Sequence, residues 1–157
     1  MNAASLSFTL LVLLAALLVW CAVEDVRQRT IANGKNAAIA LLAPFWWWTQ
    51  GLALWPDLAV QLAVSLGVFA LFFGIFLTGM MGGGDVKLLG ALGLWLPPGP
   101  LLQLLVLMSL LGVGVTALAL IEHRWRRRPG RTETPYGVAI VLAGLIVLRE
   151  PLFYQFG

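Results

Sequence analysis

Charge is what this sequence has least of. Only 11% of its 157 residues are charged and 61% are hydrophobic, against roughly 25% and about 45–50% in an ordinary soluble domain. So little polar surface cannot cover a soluble fold of this length, and that class is excluded. The single cysteine, Cys21, excludes an internal disulfide and any zinc site built from several thiolates; inside an apolar run it reads as packing. The single histidine, His123, sits among arginines, so there is neither a His cluster nor an HExxH string for a metal. Ser5, Ser7, Ser65 and Ser109 stand in apolar runs without a visible base. The glycine-rich turn Gly82 to Gly84 does not continue as a phosphate loop, because Lys87 follows Asp85 too soon and no Gly-Lys-Ser/Thr is present. No metal and no cofactor is expected.

What is present is apolar sequence gathered into long runs with short polar breaks, the pattern of an all-α integral membrane protein. Six transmembrane helices are expected, near residues 4–24, 36–55, 58–80, 85–97, 101–121 and 135–150, in one polytopic membrane domain covering 1–157. The first run lacks the basic start and small-residue cleavage site of a secretory signal, so it is expected to stay as a permanent helix. The breaks are Trp55-Pro56-Asp57, Met81-Gly82-Gly83-Gly84 and Pro97-Pro98-Gly99-Pro100. The fourth helix is short. At 1.5 Å per residue, Asp85 to Leu96 covers roughly 18 Å, so it is expected to start below the lipid surface or beside a polar cavity.

The formal charge of +3 does not point to nucleic acid, because the basic residues lie in short loops, where they set topology. On the six-helix frame Arg27, Arg29 and Lys35, then Lys87, then Arg124, Arg126, Arg127, Arg128 and Arg131 fall on one side. That is nine of the ten basic residues, with Arg149 alone on the other. The rule that Lys and Arg concentrate in cytoplasmic loops makes that side cytoplasmic and puts both termini outside. The Arg124 to Arg131 run reads as a cytoplasmic anchor, with anionic lipid or an assembly partner as the weaker option. Trp46, Trp47, Trp48, Trp55 and Trp95 are expected in an outer interfacial belt, and Trp20 and Trp125 near the inner boundary.

Seven acidic residues remain to be assigned. Glu24, Asp25, Asp85, Glu122 and Glu133 fall on the cytoplasmic side, and Asp57 and Glu150 outside. Asp25 and Asp85 stand where an apolar helix meets the interface, a costly position for an ionisable group and by default a functional one. Each also has a plain reading. Asp85 follows three glycines and would cap the fourth helix, and Asp25 would be a solvated boundary residue. Their shared membrane face lets helix packing bring the two carboxylates together. Two carboxylates that share a proton supply an acid and a base, enough to activate water and hydrolyse an amide.

Three strings resemble the type IV prepilin peptidases and the related archaeal preflagellin peptidases. Asp25-Val-Arg27-Gln-Arg29-Thr-Ile31-Ala32-Asn33 resembles an aspartate followed by arginines and an Ile-Pro-Asn. Gly82-Gly83-Gly84-Asp85-Val86-Lys87 resembles the Gly-x-Gly-Asp-x-Lys motif, and Thr134-Pro135-Tyr136-Gly137-Val138-Ala139 a Pro-Tyr/Phe-Gly segment that opens the last helix. The resemblance implies a Gly-x-Gly-Asp intramembrane aspartyl protease with Asp25 and Asp85 as catalytic dyad, in a multi-pass protein of the bacterial inner membrane. Its substrate would be a pilin precursor, cut at the cytoplasmic face to remove a short basic leader. Gly82, Gly84, Lys87, Arg27, Asn33, Pro135, Tyr136 and Gly137 would shape the site, and pilus assembly machinery would be a further partner.

Two departures stand out. Ala32 occupies the place where the family usually has proline, and the Cys-x-x-Cys segment of the larger, N-methylating relatives is missing. The chain resembles the small peptidase-only branch associated with tight-adherence (Flp) pili, without methyltransferase activity. For Lys87 a snorkelling anchor competes with a role in tuning Asp85. Glu24 adjoins Asp25 but lies about 100° away on a helix. Two other classes stay open. A transporter would use the aspartates as an ion path, and a pilus or secretion scaffold would use them as structural caps.

Overall fold

The computed structural model of the chain describes residues 3–126 and 136–154, and every element among them is helical: α1 (Ala3–Gln28), α2 (Asn33–Gln50), α3 (Ala59–Leu77), α4 (Gly83–Gly93), α5 (Pro98–Arg126) and α6 (Tyr136–Tyr154). A short helical turn, Leu54–Leu58, leads directly into α3. Six helices besides that turn lie among the described residues, the number expected, though not all are long enough to span; their ends differ for local reasons. α2 stops at Gln50 rather than near 55, because Gly51 takes a left-handed φ of 64° and caps the helix while Leu52 N–H bonds to the Trp47 carbonyl. α5 starts at Pro98 rather than 101. Prolines in a first turn sacrifice only amides that would have no helical partner. α1 and α5 run four to five residues beyond their apolar phase, to Gln28 and Arg126.

Among the described residues three segments are long and apolar enough to cross a membrane: Ala3–Gln28, Leu54–Leu77 and Pro98–Leu118. Tyr136–Arg149 is a shorter apolar helix. α4 is too short to span, at about 16 Å for its 11 residues. It forms the centre instead, packed against α2, α3 and α6, while α1 packs on α2 and α6, and α5 on α6.

The inward stripe of α1 is Ser7, Leu10, Leu11, Leu14, Leu18, Cys21 and Asp25, recurring once per helical turn as a helix face must. In α4 the corresponding stripe is Asp85, Leu88, Leu89 and Leu92. Each stripe has an apolar middle and carries an aspartate at one end. Outward residues such as Leu71, Leu77, Leu110 and Val113 are exposed, as a lipid-facing surface requires.

The aromatic belt needs a correction. Trp48 and Trp55 are exposed, at 75% and 80%, but Trp95 is buried at 2% and donates its indole N–H to the Ile39 carbonyl at 2.8 Å. Trp46 stacks on it with centroids 5.7 Å apart, and the Trp46 and Trp47 indoles donate to the Trp95 and Leu94 carbonyls. Trp95 is a core residue tied to α2, and the half-buried Trp46 and Trp47 satisfy carbonyls just past the end of α4. Sequence position put them near an interface, while rotation about the helix turned them inward.

Candidate active site

Asp25 lies within the last turns of α1, not beyond its end, and is 4% exposed. Its Oδ2 accepts the Val138 N–H at 3.2 Å, and the Gly137 N–H is also directed at the carboxylate. The first turn of α6 therefore presents free amides to a carboxylate, the usual partner of a helix N-terminus. Gly137 is required by space. A Cβ there would stand 2.8 Å from Asp25 Oδ2 and 2.9 Å from Ile31 Cδ1. Tyr136 anchors the same turn, its hydroxyl lying where a Cβ on Gly112 of α5 would come within 2.7 Å. Pro135 lies outside the described residues, as do Arg127, Arg128, Arg131 and Glu133.

Asp85 is 7% exposed and stands at the third position of α4. The N-cap is Gly82, in extended conformation and without a side-chain cap. Asp85 is thus not the N-cap that its position after three glycines suggested; its carboxylate reaches back to the Gly82 N–H, the second half of a capping box. Close approach explains both motif glycines: a Cβ on Gly82 would lie 3.1 Å from Asp85 Oδ2, and one on Gly84 would lie 3.1–3.2 Å from Ile31 Cβ, N and O. The charge of Asp25 acts on Asp85, so the two buried carboxylates share one polar end of the bundle.

Between them sits Ile31, 6% exposed, touching the Gly84 side of α4 and the Gly137 side of α6. Its role was not evident from sequence, although a lone apolar residue in the polar stretch from Arg27 to Lys35 was the available signal. Arg29, at the exit of α1, holds a left-handed φ of 56° with its N–H on the Asp25 carbonyl, a conformation that costs about 1–2 kcal/mol outside glycine. Its charge acts on Asp25. Arg27 is exposed.

Lys87 does not join the carboxylates. Its Nζ donates to Asn33 Oδ1 at 2.8 Å, and two residues along a helix from Asp85 it points about 200° away. The motif residues Lys87 and Asn33 instead tie α4 to the start of α2. Next to them Asn36, 5% exposed, donates Nδ2 to the Gly84 carbonyl at 3.0 Å, and its Oδ1 has no partner. Asn33, Asn36 and Lys87 line the polar end of a cavity of about 590 Å³ whose walls include Leu62, Phe69 and Leu94. Of the serines, Ser7, Ser65 and Ser109 donate to backbone carbonyls at 2.8–2.9 Å. Such a site has paired carboxylates and amide donors, the components of acid–base hydrolysis.

No curated protein and no solved structure matches the chain. A family model described as the type IV leader peptidase family matches residues 12–117, more than half of the 157 residues and inclusive of both aspartates. The α6 turn that holds Asp25 lies beyond the matched stretch.

Proposed function

The chain belongs to the type IV leader peptidase family, and on that premise we propose that it is an aspartyl endopeptidase acting at the membrane, with Asp25 and Asp85 as its catalytic pair. The observation that carries this reading is the burial of both carboxylates at one end of the bundle, electrostatically coupled and each served by backbone amides. Two coupled carboxylates do not both ionise readily, so one holds a proton while its partner draws one from water. The water oxygen attacks the scissile carbonyl. The protonated aspartate donates to the developing oxyanion, and the proton taken from water passes to the leaving amine as the carbon–nitrogen bond breaks.

The substrate in this reading is a pilin precursor of the Flp type, with an apolar helix in the bilayer and a short basic leader outside it. Its scissile bond would reach the depth of the pair at the cytoplasmic face of a bacterial inner membrane. The basic residues support that orientation, since Arg27, Arg29, Lys35 and Lys87 cluster at the end carrying the aspartates. No N-methylation of the new terminus is expected, because the chain carries none of the paired Cys-x-x-Cys strings of the bifunctional relatives.

Co-expression with a pilin precursor tests the pair. Asp25→Asn and Asp85→Asn should each slow leader removal on the order of 10²–10⁴-fold in properly inserted protein. Normal trimming by either variant overturns the dyad. The contact from Asp85 to Gly82 favours a second reading, in which Asp85 is only a cap. Asparagine keeps most capping ability, so a harmless Asp85→Asn would select that reading.

A further inference from the structure

Ala32 precedes α2 with φ −62° and ψ 136°, a conformation that proline would fix by its ring, φ being locked near −65°. Alanine leaves that torsion free and adds an N–H that proline lacks. In this chain the N–H is used. Glu24 Oε2 accepts it at 2.9 Å, and Lys35 Nζ lies 2.7 Å from the same oxygen. Lys35 in turn sits 4.7 Å above the Trp20 ring. The Glu24 and Lys35 side chains are 15% and 12% exposed, while Ala32 itself lies at the surface. A carboxylate on α1 therefore clasps the first amide before α2, by a hydrogen bond of the stronger, charge-assisted kind.

The clasped loop carries Ile31, whose backbone packs on Gly84 beside Asp85 and whose Cδ1 packs on Gly137 beside Asp25. We infer that Glu24 is a positioning residue that performs, through Ala32, the work a proline would do at position 32: it fixes the Ile31 wedge and so the spacing of the two carboxylates. Glu24 touches neither carboxylate in this role and takes no part in proton transfer. The inference rests on the proposed dyad only for its effect on rate; the clasp itself is a matter of loop position.

The test is a mutant cycle in the full chain, scored by leader removal from a pilin precursor. Glu24→Ala should lower kcat about tenfold with little change in KM, the scale of a catalytic group displaced by a fraction of an ångström. Glu24→Gln should retain most activity, since its amide oxygen still accepts from Ala32. Ala32→Pro should restore Glu24→Ala to within about twofold of the parent, because the ring replaces the lost clasp. A double variant as slow as Glu24→Ala, or a Glu24→Ala variant as fast as the parent, overturns the inference.

A second measurement does not use activity. In a Cys21→Ser background, Ile31→Cys puts a single thiol at the 6% exposed loop position, where it should react slowly with a maleimide. The labelling rate should rise with Glu24→Ala and fall back with Ala32→Pro; an unchanged rate overturns the clasp. Should the rate respond as expected while Asp25→Asn and Asp85→Asn cleave normally, the clasp stands and the dyad falls. If Glu24→Ala fails to accumulate, recovery of the protein by Ala32→Pro supports the clasp, and failure to recover overturns it.

Discussion

α3 and α4 lie against each other and are built in opposite senses. In the 19 residues of α3 the only buried members are Gln61 and Ser65, while its leucines face outward and Phe69 and Phe72 are half-buried. In the 11 residues of α4, seven are buried and five of those are aliphatic. The two polar residues of α3 are the ones that grip α4. Gln61 Nε2 donates to the Gly93 and Leu96 carbonyls at 2.6 and 2.7 Å, and Ser65 Oγ to Gly90 at 2.9 Å. Glycines on α4 allow the approach, since a Cβ on Gly93 would meet Ser65 Oγ at 2.9 Å and one on Gly90 would meet Phe69 at 2.9 Å. Lipid is as apolar as leucine, so burying leucine does little to join helices there; close packing at small residues and hydrogen bonds do more. α3 is a lipid-facing shield, and α4 is the core element that carries the buried Asp85 at one end.

The largest effect should come from the working end of α4. Asp85→Asn is expected to slow cleavage on the order of 10²–10⁴-fold while leaving the melting temperature in detergent nearly unchanged, which would separate chemistry from structure on this helix. Next is the contact itself. Gly93→Ala should force α3 away and destabilise the protein by about 1–3 kcal/mol, read as a lower melting temperature with a parallel loss of activity. Gln61→Leu removes both bonds to the carbonyl end of α4 and should cost about 1–2 kcal/mol, the upper part of the range for membrane hydrogen bonds. An unchanged melt would mean that packing and the Ser65 bond to Gly90 suffice to join the helices. Leu71→Ala, on the exposed face of α3, should stay within about 0.5 kcal/mol. A cost as large as that of Gln61→Leu would show protein, not lipid, covering that face.

Much of this was legible in the sequence because lipid imposes a simple code. Apolar runs gave the six helices, and Gly82 to Gly84 before Asp85 marked the start of α4. Asp25 and Asp85 could be singled out as ionisable residues at the margins of apolar helices. The helix-period stripe ending at Asp25 was also present, but it can be read only once α1 is known to continue to Gln28. Trp95 was misplaced because an indole at a helix end reads as an interfacial anchor whichever way it points. Lys87 left open an anchor and a tuner of Asp85, and the structure adds a contact that neither described, its bond to Asn33, 54 residues away, between α4 and α2.

The sequence by itself determined the solvent and the helices, since composition and run length follow from what lipid tolerates along the chain. It also singled out the two aspartates and the motif glycines. Only the tertiary structure decided that α4 is central, that the α6 amides of Gly137 and Val138 meet Asp25, and that Ile31 packs against both the first turn of α4, which carries Asp85, and the first turn of α6, which holds Asp25. It also decided that Glu24, set aside because it faces away from Asp25, holds the loop at Ala32. Those relations depend on helix rotation and on contacts between segments up to 113 residues apart, and nothing in a one-dimensional pattern encodes which face of a helix turns toward which neighbour.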